Sequence, residues 1–290
     1  MNNKILLSRI FNFVSGIIAL SINGFIKVVP IKGNNPNQLM PSPIAFSIWG
    51  IIYLFKLSFM IYQLLPRTYT LKYINKGITP YFSILALLNI TWLITQSQFR
   101  GAYYFIQLIV IYLMFLILFF MYTTTFKYIK NDLIMKIESN DNFYLNYWFG
   151  RVWLSMYFAW ITGAICVDSF SVFSSFSSTN YISSSLTLCL LTIITMFVLH
   201  INRDVVFSLT FIWFTSWVLI NNKDIEGSYP LFITSIIAIG IISIASIMTL
   251  ILNIQFVINR NRGIEMNTEN ENFQRLFNYF KRSSNYNSLD

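Results

Sequence analysis

Charge is what this chain of 290 residues has least of: Asp, Glu, Lys and Arg make up 11% of it, against roughly 25% in soluble domains. So few charged side chains cannot cover a water-facing surface, while hydrophobic residues reach 56%. Water is therefore not its main solvent. A secreted disulfide scaffold, a disordered tail and an ordinary cytosolic enzyme are excluded together. Two cysteines are present, Cys166 and Cys189, both inside apolar runs, where a buried, inert thiol is the expected state. The single histidine, His200, has no second histidine, cysteine or carboxylate set near it at ligand spacing; it reads as an interfacial residue, and neither metal nor other cofactor is expected. No phosphate-cradling glycine loop, His-Glu-x-x-His pair or Gly-x-Ser-x-Gly elbow occurs. Of the 11 acidic residues, only Asp168 falls well inside an apolar run, near its end. General acid–base chemistry has almost no candidates, and the chain is not expected to be an enzyme.

What is abundant is apolar length. A helical span needs about 20 mostly apolar residues to cross about 30 Å of hydrocarbon. Runs of that kind occupy Ile5–Val29, Pro43–Leu65, Pro80–Gln98, Ala102–Phe126, Trp148–Phe170, Ile182–His200, Val205–Ile220 and Pro230–Ile258. Backbone polar groups in lipid must be satisfied within their own segment, so these runs are read as helices. The expected architecture is all-α, a polytopic bundle of about eight spans embedded in a lipid bilayer. The seven prolines all fall at or near run ends, where a helix tolerates them.

Eight spans put both termini on one face together with the second, fourth and sixth loops. That face collects 15 of the 20 lysines and arginines, Arg9, Arg151 and Arg203 among them. The other face holds Lys27, Lys32, Arg100 and Lys223, and Lys56 lies within a span. Cations accumulate on cytoplasmic loops, so both termini are expected in the cytoplasm. The net charge of +9 is thereby topology, and no nucleic-acid partner is expected. The loop around Lys127–Asn146 reads as a solvated connection. In the tail, Phe273, Leu276, Phe277 and Phe280 follow an i, i+3, i+4, i+7 spacing flanked by basic residues. This fits either an amphipathic helix on the inner leaflet or a disordered end.

Polar groups inside spans cost free energy and so carry the most information. In the second span Phe46, Trp49, Tyr53 and Lys56 share one narrow helical face. Lys56 lies about 13 Å from the cytoplasmic end at 1.5 Å per residue. It fits either a cation at the base of an aromatic-lined cavity or a lysine snorkelling to the headgroups. The third span aligns Asn89, Trp92 and Gln96, suited to bonding neighbouring helices or a ligand. The fifth carries Phe149, Trp153, Tyr157 and Trp160 as a stripe, with Gly163 and Ala164 permitting close helix approach. Arg203-Asp204 falls at a helix start, where an aspartate can cap.

Three of these stretches resemble the TspO/MBR family of tryptophan-rich sensory and translocator proteins. Pro41-Ser42-Pro43-Ile44-Ala45-Phe46-Ser47-Ile48-Trp49-Gly50-Ile51-Ile52-Tyr53-Leu54 resembles the opening of its second helix. Leu88-Asn89-Ile90-Thr91-Trp92 resembles its third-helix motif, and Tyr157-Phe158-Ala159-Trp160-Ile161-Thr162-Gly163-Ala164 its fifth. Arg203, Asp204, Phe207 and Trp213 are similar to an element of a longer branch with three added spans. Asp168 stands where the family usually has asparagine. The resemblance implies a five-helix membrane domain at 1–170, a three-helix segment at 171–258 and a cytoplasmic polar tail at 259–290. It further implies an intramembrane cavity for a porphyrin- or sterol-like ligand that is bound, sensed or translocated. Phe46, Trp49, Tyr53, Lys56, Asn89, Trp92, Trp153, Tyr157 and Trp160 are the ligand-binding positions expected. An ion- or proton-coupled carrier and a structural, partner-binding protein are the alternatives, and a homodimer is a further expectation. Tags at the two termini are predicted to be accessible from the same side of the membrane in a protease-protection assay; opposite sides would refute the eight-span reading.

Overall fold

In the computed structural model the described residues are 3–26, 38–97, 103–135, 145–174 and 180–261. The amphipathic spacing at Phe273–Phe280 lies outside them. The chain divides into two compact units, Met1–Ser246 and Ile247–Asp290. All regular structure among the described residues is helical: α1 (Asn3–Phe25), α2 (Ile48–Tyr62), α3 (Thr79–Ser97), α4 (Tyr103–Met135), α5 (Val152–Ser174), α6 (Tyr181–Asn202), α7 (Val205–Asn222) and α8 (Tyr229–Asn261). A 3₁₀ turn, Pro43–Ser47, leads into α2, and π turns at Tyr73–Ile78 and Asn146–Arg151 lead into α3 and α5. Eight of these helical stretches are long and apolar enough to cross a membrane.

Two boundaries differ from the sequence reading. The third span starts at Tyr73, which places Pro80 inside it instead of at its edge. A proline ring clashes with the carbonyl one turn back and leaves no N–H to bond it. The wider π turn just upstream makes room for both effects. The fourth helix, α4, runs to Met135, so the first nine residues of the expected loop, from Lys127, are helical. The third and seventh spans, which carry several polar residues, are both formed.

The fifth span, Asn146–Val172, is central, with 78% of its apolar window buried. It packs against α4 on one side and α7 and α2 on others, while α3 packs on α4 and on α1. The two π turns meet where the hydroxyls of Tyr62 and Tyr73 both donate to Asn146 Oδ1, at 2.7 and 3.0 Å. Gly150 is needed there: a Cβ would come within 2.7 Å of the Tyr73 ring. Within the first unit the start of α8 docks through Leu231, Ala238 and Ile242, and Ser246 donates to Ser208 Oγ at 2.8 Å. The described part of the second unit is helical from Ile247 to Asn261, with Ile247, Met248 and Ile251 exposed, as lipid-facing positions should be.

Arg9 is not a loop cation, as its place in the charge pattern suggested, but is fully buried. Its guanidinium donates to the Gln63 carbonyl, to Thr68 Oγ1 at 2.6 Å, to the Thr68 carbonyl at 2.9 Å and to Asn75 Oδ1 at 2.7 Å. It also lies 4.8 Å from the centroid of Tyr69. The Gln63 carbonyl, just past the last residue of α2, lies at the negative end of that helix's dipole. The guanidinium from α1 joins this carbonyl to Thr68 and Asn75 and so holds the connection between α2 and α3. Cys189 is also a correction: it is exposed on the outer face of α6 rather than buried, and Cys166 is half-buried.

Replacing Arg9 with Met should lower stability by about 2–4 kcal/mol, because several buried acceptors lose their donors together. Arg9→Lys should recover only part, since an ammonium cannot span the same fork of acceptors. Unfolding midpoints in detergent measure this, and an unchanged midpoint for Arg9→Met would contradict the clamp.

Candidate functional site

The side chains that helical spacing aligned on α2 and the turn before it do converge. Trp49 stacks on Tyr53 with centroids 5.2 Å apart, meets Tyr157 edge-on at 5.3 Å and Trp160 at 6.3 Å, and lies 6.4 Å from Trp92. Phe46 meets the Trp160 ring edge-on at 5.6 Å. Six expected positions, Phe46, Trp49, Tyr53, Trp92, Tyr157 and Trp160, thus form one continuous aromatic wall from the second, third and fifth spans. Offset and edge-to-face contacts of this kind each add roughly 0.5–1.5 kcal/mol beyond area burial.

Asn89 joins this wall through a residue that sequence reasoning passed over. The Tyr53 hydroxyl donates to Asn23 Oδ1, and the Asn23 amide donates to Asn89 Oδ1 at 2.9 Å. This relay ties α2, α1 and α3 together at mid-bundle. The Asn89 side chain and the Tyr157 hydroxyl are buried within hydrogen-bonding reach of each other.

Trp153 and Lys56 sit elsewhere. Trp153 is fully buried between Phe59, at 5.2 Å, and Phe82, at 5.8 Å, two turns below Trp160. Lys56 is 1% exposed, so it does not snorkel. Its ammonium lies 5.1 Å from the Phe82 centroid and 5.7 Å from that of Tyr157, and ring faces take the place of water or a carboxylate. It is not among the residues lining the cavity described next.

A cavity of about 30 Å³ opens on the other side of the wall, lined by Met40, Pro41, Phe46, Trp92, Gln96, Trp160, Ala164, Val167, Asp168 and Phe214. That is room for one or two waters. Asp168, at the far end of α5, is 5% exposed and accepts the Trp92 indole N–H at 3.0 Å. Beside it the Gln107 amide donates to Gln96 Oε1. Phe214 comes from α7 and meets Trp160 edge-on at 6.0 Å. Gly163 permits that approach, since a Cβ there would stand 3.1 Å from the Phe214 ring.

The segment 38–45, non-helical as far as Ser42, is strapped to α7. Asn222 and Asn221 donate to the carbonyls of Gln38 and Met40 at 2.9 and 3.0 Å, and the Trp213 indole donates to the Ala45 carbonyl at 3.0 Å. The Ser42 N–H completes the strap on the Trp217 carbonyl at 3.1 Å. On the other face of the bundle, Asp204 caps α7 through the Phe207 N–H at 3.2 Å, as its position at a helix start suggested. It also accepts from Tyr122 at 2.8 Å and Ser155 at 2.7 Å, drawing α4 and α5 together.

Among the residues missed from the sequence, Asn23 and Gln107 are polar groups inside apolar runs, Phe214 is one of several aromatics in its run, and Asn221 and Asn222 fall just past the end of theirs. Asn23 and Gln107 carried the signal that any polar group in a span carries; Phe214 carried none. Among the described residues the ion pair within 4 Å is Lys223–Asp224, at 3.8 Å on the surface. The same residues hold no group of three or more His, Cys, Asp or Glu able to bind a metal. The family described as TSPO-like protein matches residues 9–253, while no curated protein and no solved structure matches. With a match over most of its length, carried by eight membrane-length helices around an aromatic cluster, this chain is an integral, multi-pass membrane protein of the TSPO-like family.

Proposed function

We propose that this chain binds an apolar or amphipathic small molecule, porphyrin- or sterol-like, against the aromatic wall inside the membrane. Sensing or translocation of that molecule would follow, with both termini on the cytoplasmic side. The observation that carries the reading is the unbroken set of ring contacts from Phe46 through Trp160 and Trp49 to Trp92, bordering a cavity. Flat ring faces suit a flat, apolar ligand, and buried polar atoms nearby suit one polar edge. The Tyr157 hydroxyl and the Asn89 amide nitrogen supply such atoms.

Ligand sites for drug-sized molecules run to roughly 300–1,000 Å³, so a wall must part before one enters. The segment carrying Met40 and Pro41 is the candidate: it is non-helical and held mainly by side chains of α7, and segments so held open at lower free energy than packed helices. A coupled carrier is the second reading. It draws on Lys56 and Asp168, two buried charges within the spans, and requires that transport change in Lys56→Met.

Titrating the detergent-solubilised protein with protoporphyrin should quench tryptophan emission saturably. Trp49→Phe and Trp92→Phe should each weaken binding by about tenfold, the equivalent of one lost ring contact. Equal affinity and equal quenching in both variants would remove these residues from the site.

A further inference from the structure

One wall of the aromatic cavity is charged. Asp168 lines it, is 5% exposed, and lies within the fifth span. Its contacts are neutral: the Trp92 indole N–H at 3.0 Å and the Gln107 side chain. A carboxylate has about four acceptor sites, and in a low-dielectric interior it needs a counter-charge as well as donors. Among the described residues no cation stands within 4 Å of it. Around the same cavity stand the rings of Phe46, Trp92, Trp160 and Phe214. Aromatic faces attract cations through the ring quadrupole, most strongly where water is excluded.

On the footing that the hollow binds a small molecule, we infer that the group it takes at Asp168 is an organic ammonium. The carboxylate is its counter-ion and the four rings are its cage. Inorganic cations fit poorly, because calcium or magnesium requires six or more oxygen ligands. The polar lining consists of Asp168 and Gln96, and the Gln96 oxygen already accepts from Gln107. A carboxylate or phosphate placed directly against Asp168 is repelled, and Lys56, which could have offset that repulsion, lies outside the cavity lining. The cavity of about 30 Å³ has room for one or two waters, so an ammonium head larger than that enters only as the wall at Met40 and Pro41 parts. The Trp92 hydrogen bond needs an acceptor but no charge, so an asparagine would serve the packing as well. Ligand chemistry is what the charge adds.

The test compares choline with its uncharged isostere 3,3-dimethylbutan-1-ol, using tryptophan emission of the full chain in maltoside micelles. Dihexanoyl phosphatidylcholine below its micellar concentration forms a third arm, which separates a lipid headgroup from a free amine; binding of either source supports the inference. Choline should bind at least about tenfold more tightly than the isostere, as expected of a desolvated cation–π cage. In Asp168→Asn that preference should vanish while the helical circular dichroism and the unfolding midpoint in detergent stay those of a folded protein. Equal affinity of the wild type for the two probes overturns the inference, as does a preference that survives in Asp168→Asn. Displacement of choline by sodium at constant ionic strength overturns it too. If Asp168→Asn does not fold, the wild-type comparison decides alone. Absence of the charge preference in the wild type, with protoporphyrin still bound, refutes the ammonium and leaves the ligand-binding reading standing. Failure of protoporphyrin and both choline probes to bind removes that reading itself.

Discussion

Hydrocarbon cannot hydrogen-bond, and most features of this molecule follow from that deficit. Each polar group placed in a span must find its partner inside the bundle, because lipid offers none. Arg9 meets the demand by gathering the Gln63 and Thr68 carbonyls of the connection that follows α2. Asp204 meets it with a tyrosine, a serine and the first N–H groups of α7. The Tyr53–Asn23–Asn89 relay does so with a phenol hydroxyl and two amides. In each case the partners lie on different helices. Satisfying the group is therefore the same act as docking the helices, which apolar packing in lipid does not by itself specify.

The same demand explains why the aromatic wall and the cavity adjoin each other. Rings fill space densely, yet their faces carry partial negative charge and can neighbour a cation that lacks a carboxylate. Lys56 uses two such faces, Phe82 and Tyr157. Asp168 sits past the opposite end of the wall, with an indole N–H where Lys56 has ring faces. The aromatic stack separates two isolated charges of opposite sign. Each is held by neutral groups, and neither neutralises the other.

The architecture was legible because its signal is physical and summed over many residues: eight apolar lengths, bounded by polar loops, leave one solution. The face of α2 bearing Trp49 and Tyr53 was legible for the same kind of reason, since helical periodicity is strict over a dozen residues. Depth and partnership were not. Arg9 counts among the cations of one membrane face, yet a long side chain on α1 turns inward toward carbonyls that no sequence pattern announces. Lys56 could snorkel or be buried by spacing alone. Only the rings of Phe82 and Tyr157, brought from two other helices, decide it. Pro80 looked like a helix end, because the rule that prolines break helices carries no term for a π turn that absorbs them.

The part played by α7 was likewise hidden, since motif resemblance divides the chain after the fifth span. In the folded protein α7 completes the cavity with Phe214 and straps its non-helical wall through Trp213, Asn221 and Asn222. A cavity whose wall is held by hydrogen bonds from an added helix responds to that helix. Any shift of α7 moves Met40 and Pro41 with it, whereas packed rings on α2 and α5 stay where their neighbours hold them. The capping hub at Asp204 anchors the opposite end of the same helix to α4 and α5. One element thus links a polar hub near one membrane face to the wall of the cavity near the other. Coupling between the two ends then requires no contact beyond those along α7 itself.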